Sequence, residues 1–88
     1  MTKADLQKRL SSEVARWAEM NYRELAETAF PVVYESGSAA DGSFCQTEVT
    51  LLENTPDYIH VAVAVSDSGL RAFVPLVDDV IVRADRHG

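Results

Sequence analysis

The chain has 88 residues, 47% hydrophobic and 25% charged, which is the size and composition of one globular domain spanning 1–88 and excludes a disordered chain. Its net charge of −6 belongs wholly to residues 31–88, since five basic and five acidic groups cancel within residues 1–30. No lysine or arginine stands between Glu24 and Leu70, and a phosphate backbone needs clustered cations, so nucleic acid is excluded as an expected partner.

The first residues, MTKADLQKRL, carry charges where a secretory leader has its apolar core. With one cysteine, Cys45, no internal disulfide forms, and no run approaches the roughly 20 apolar residues of a membrane span. These features lead to the expectation of a cytoplasmic protein without membrane contact. Thr2 and Asp5 resemble a capping box that opens a helix over about 3–28. Leu6, Leu10, Val14, Trp17, Ala18, Tyr22, Leu25 and Ala29 recur every three or four residues and make its apolar stripe. Lys8, Ser12, Arg16, Glu19, Arg23 and Glu27 line the other side, with Glu19 and Arg23 as an i,i+4 pair. Trp17 reads as a core anchor, and Pro31 disfavours helix at Phe30.

A short edge strand is expected over about 31–36, then a plain loop from Gly37 to Gly42. A second strand, about 43–52, alternates Cys45, Thr47, Val49 and Leu51 with Phe44, Gln46, Glu48, Thr50 and Leu52. The stretch DYIHVAVAVS carries the central strand, about 58–66. Ile59, Val61, Val63 and Val65 form a branched face suited to a core, and Tyr58, His60, Ala62, Ala64 and Ser66 form the opposite face. A five-residue turn, Glu53 to Asp57, sets Leu51 against Ile59 and Val49 against Val61. Ser68-Gly69 is a two-residue hairpin signal, so a strand over about 70–76 is expected with Ala72, Val74 and Leu76 inward and Phe73 across from Ala64. Pro75 marks an edge or break, Asp78-Asp79 reads as a turn, about 80–84 as a last strand, and the final residues as a frayed tail.

The expected fold class is therefore α+β: one long N-terminal helix packed on one face of a four- to five-stranded antiparallel sheet in meander order. This order is similar to the helix-then-meander arrangement of cystatin-like folds, a likeness of topology that brings no site residues with it.

No motif for a cofactor, metal or catalytic group stands out. His60 beside Glu48 and Tyr58 lacks an evident nucleophile or third positioned group, and Cys45 in an acidic stretch reads as a small buried hydrophobe. The Asp78-Asp79 doublet lacks the spaced oxygen ligands of a calcium loop. The outward sheet face is the stronger candidate, carrying Phe44, Glu48, Tyr58, His60, Ala64 and Phe73 as binding residues. The expected function is a small acidic protein-interaction module, homodimeric through that face or binding a basic partner protein as an inhibitor or immunity-type protein does. The alternative is a small-ligand-binding domain with a pocket near Tyr58, His60 and Phe73, and an enzyme is the least supported reading.

Overall fold

In a computed structural model, residues 3–38, 44–67 and 75–84 are described, with the side chains of 3, 36–38, 44 and 67 outside that description. The sheet is built around β3 (Tyr58–Asp67), whose Ile59, Val61, Val63 and Val65 are all fully buried. Alternation puts them on one pleat face, and helix covers that face. Strand β1 (Val32–Ser38) pairs with β2 (Phe44–Asn54), β2 with β3, and β3 with β4 (Leu76–Arg83). All three pairings are antiparallel, in the order β1-β2-β3-β4. The fold is thus α+β, with an N-terminal helix packed on one face of an antiparallel meander that has four strands among the described residues.

Helix α1 (Lys3–Ala18) lies chiefly over β4 and β3 and sends Leu6, Leu10 and Trp17 into the core. It stops ten residues short of the expected end at about 28, and a short α2 (Tyr22–Ala26) follows. The cause is Asn21, whose extended backbone (φ −85°, ψ 165°) starts α2 as a capping box. Its side-chain oxygen accepts from the Glu24 N–H at 2.8 Å, and its own N–H donates to the Glu24 carboxylate at 3.1 Å. Glu19 therefore sits in the turn between helices, and no helical i,i+4 pairing with Arg23 arises. Leu25 of α2 is buried, and the Tyr22 hydroxyl donates to the Thr55 carbonyl at 2.7 Å, fastening α2 to the β2–β3 turn.

Two registers differ from expectation. Val49 lies opposite Val63 and Leu51 opposite Val61, a slip of two residues that leaves every side chain on its expected face. An irregularity at Leu52 then sets Glu53 against His60 and Asn54 against Ile59. Leu51, expected in the core, is partly exposed because α1 gives β2 little cover. In β4, Leu76 opposes Val65 and Val80 opposes Val61, four residues away from the register of a two-residue hairpin. That choice buries Val80 and Val82 against Val61 and Ile59. Asp78 and Asp79 lie inside β4, opposite Val63 and Ala62, and form no turn; residues 80–84 belong to this same strand. Pro75 directly precedes it. The expected Thr2 cap, the 37–42 loop beyond Ser38, the Ser68-Gly69 turn, Ala72, Phe73, Val74 and the tail after Ala84 lie outside the described residues. No helix among the described residues is long and apolar enough to cross a membrane.

Candidate functional site

The helix-free face of the sheet is read in rows across the strands. One row runs Val33, Glu48, Ala64, Val77; the next runs Thr50, Ala62, Asp79; a third runs Glu53, His60, Ile81. Alternation turns these side chains away from the buried set. Val33, Val77 and Ile81 are 51%, 60% and 53% exposed, so aliphatic groups stand at both edges of the face. Between them the β3 residues are small, and Ala62 and Ala64 make a low floor.

Of the residues expected here, the structure brings Glu48, Tyr58, His60 and Ala64 onto one face. Phe44 begins β2 with its Cα opposite Ser38, and its side chain lies outside the description. Phe73 lies outside it altogether, and the β4 residue across from Ala64 is Val77. The carboxylate beside His60 is Asp79, a residue expected in a turn. The His60 imidazole Nε2 donates to Asp79 Oδ2 at 2.7 Å. This bond holds the Asp79 carboxyl below the usual aspartate range; desolvation opposes it, and hydrogen bonds from the Asp79 backbone and the Asp78 side chain add smaller lowering effects. The Tyr58 hydroxyl donates to Glu53 at 2.6 Å, which pushes the phenol pKa up. Glu48 differs: its carboxylate has no hydrogen-bond or ion-pair partner among the described residues.

An open hollow at the end of the face is lined by Asp57, Tyr58, Arg83 and Ala84. The Ala84 N–H donates to the Asp57 carbonyl at 2.8 Å and fixes its rim. Among the described residues no three His, Cys, Asp or Glu side chains are grouped to hold a metal ion. Cys45 is buried, as a small hydrophobe would be, forms no disulfide, and lies opposite Asp67.

A second polar cluster lies on the covered side, and sequence reasoning passed over it. Glu13 is only 5% exposed although charged. It accepts from the Tyr34 hydroxyl, which in turn accepts from the Trp17 indole N–H at 2.9 Å. The Arg9 and Arg16 guanidinium groups lie 4.0 and 3.8 Å from its oxygens, and Arg16 stacks 5.4 Å from the Tyr34 ring centre. Burial first, then the bond to Glu13, pushes the Tyr34 pKa up. The available signal was spacing: residues 6, 10, 13 and 17 form a helical seam, and an acid at the third position needs a partner. The cluster is closed on itself and ties α1 to β1, so its role is structural. Comparison of the chain with protein-family models, with curated proteins and with solved structures finds no match to any of them.

Proposed function

We propose that this protein is an interaction module that docks a basic partner protein on the helix-free sheet face. The observation that carries the reading is the pairing of exposed aliphatic side chains at both edges, Val33 with Val77 and Ile81, with carboxylates between them. Glu35, Glu48, Glu53 and Asp79 lie on this face, against Arg83 as its one permanently cationic side chain among the described residues. A surface that combines exposed aliphatic side chains with carboxylates of one sign favours a partner of the opposite sign and speeds encounter with it. A second copy of the chain fits less well, because stacking two such faces sets like carboxylates against each other. The alternative of a small ligand has one observation in its favour, the hollow beside Tyr58, which is open and carries both Asp57 and Arg83.

A peptide of alternating leucine and lysine, titrated calorimetrically at low ionic strength, is the test. Binding that is weakened when Val77 and Ile81 are both changed to Ser, which removes the aliphatic contact without adding charge, and kept in Lys8→Ser on the helix side, supports the reading. No binding, or binding indifferent to Val77→Ser and Ile81→Ser, overturns it. So does a dimer in sedimentation velocity that Ile81→Glu dissociates, which would make a second copy the occupant.

A further inference from the structure

We infer that the partner delivers a lysine or arginine side chain lengthwise into a trough along β3, its stem on Ala62 and Ala64 and its charged head at Glu48. The inference rests on the docking reading above and names the chemistry of contact. The trough follows from register. Ala64 lies between Glu48 on β2 and Val77 on β4, and Ala62 lies between Thr50 and Asp79. Strands two apart are about 10 Å from each other, so two methyl groups in line leave a channel between longer walls. Toward the start of β3 the larger His60 and Tyr58 close it.

A channel with an apolar floor and an acidic wall suits a side chain with an apolar stem and a cationic tip. Among the acids of this face, Glu53 is bonded to Tyr58 and Asp79 to His60. The Glu48 and Glu35 carboxylates have no partner among the described residues. Glu48 borders the trough directly, whereas Glu35 lies at the β1 edge in the row of Gln46 and Ser66. Val33 and Ala64 flank Glu48, whose side chain is exposed, so an ion pair made there has the modest strength of a surface pair and the apolar floor supplies the rest of the contact. Glu35 therefore serves as an internal control of equal charge outside the trough.

Hexalysine and hexaarginine, titrated separately at low salt and followed by amide chemical shifts, test the inference. Shifts centred on Glu48, Ala62 and Ala64 are expected. Glu48→Gln should weaken binding by about twofold to fivefold, the upper part of what an exposed ion pair contributes. Ala64→Leu, which fills the floor, should weaken it comparably, while Glu35→Gln should change it little. Equal losses from Glu35→Gln and Glu48→Gln, or an Ala64→Leu variant of unchanged affinity, overturn the trough and leave general docking on an acidic face standing. Failure of both peptides and of the leucine–lysine peptide to bind removes both readings together.

Discussion

At the scale of single residues, Glu13 shows how much one buried charge asks of its surroundings. A carboxylate in the helix–sheet seam is costly unless its oxygens are satisfied. Tyr34 supplies the hydrogen bond, Trp17 orients Tyr34, and two arginines balance the charge. Removing the hydroxyl should therefore cost more than one hydrogen bond, because the Trp17 N–H loses its acceptor as Glu13 loses its donor. Tyr34→Phe is expected to destabilise the fold by about 1–3 kcal/mol in urea titrations at neutral pH. The same hydroxyl predicts an alkaline limb. Its pKa is raised in the folded state, so this contribution is complete below the unfolded tyrosine value of about 10 and falls away as pH rises through the folded value. Wild type should lose more stability than Tyr34→Phe in that window; parallel pH profiles for the two proteins would rule out Tyr34 as the source.

At the scale of elements, the face of each strand was legible and its register was not. Ile59, Val61, Val63 and Val65 are all buried, as their alternation requires. Alternation forbids a slip of one residue, but slips of two and four keep every side chain on its face. Choosing among even slips took the turn signals, and these misled: Ser68-Gly69 pointed to a register that would leave Val80 and Val82 outside the core they fill. Asn21 with Glu24 was a readable cap hidden inside a periodic stripe. Asp78 is the more instructive miss. It shares a pleat face with Val80 and Val82 yet is exposed, and it sits in a strand with no outer neighbour among the described residues. A charge in such an edge strand discourages pairing with another chain. Any antiparallel pairing of two β4 strands centred on this doublet sets aspartates against aspartates. Asp78→Val would complete a Leu76–Val80–Val82 stripe with valine, and should increase concentration-dependent association in sedimentation velocity while leaving the circular dichroism spectrum unchanged. Association equal to wild type would show that the edge is protected by other means. Of the candidate site, Tyr58, His60, Glu48 and Ala64 were legible from parity alone, whereas Asp79 was not, since its place beside His60 depends on the β3–β4 register.

At the scale of the whole molecule, charge is divided between layers. Residues 1–30, which supply both helices, carry five charges of each sign, and the remaining residues carry the entire −6. Like charges spread over one sheet repel in the compact state and less so in the expanded chain, so they oppose folding. A domain of 88 residues has little burial to set against this, since chains near this size hide only about 60–65% of their unfolded surface. Salt should therefore stabilise the protein. Between about 0.01 M and 0.15 M NaCl the Debye length falls from about 30 Å to about 8 Å, shorter than the sheet layer's long dimension within a molecule 43 × 20 × 17 Å. The thermal midpoint is expected to rise by a few degrees over that range, the response of a small domain to somewhat less than 1 kcal/mol. The same salt should weaken binding of the basic peptides, so stability and docking should move in opposite directions. Replacing Glu48 and Glu35 together by Gln should raise the low-salt midpoint and reduce its salt dependence. A midpoint that stays level or falls with salt would mean that the short-range pairs, His60–Asp79 and the Glu13 cluster, outweigh the sheet's repulsion. The acidic face would then cost the fold nothing, and its charge could no longer be read as stability given up for recognition of a cationic partner.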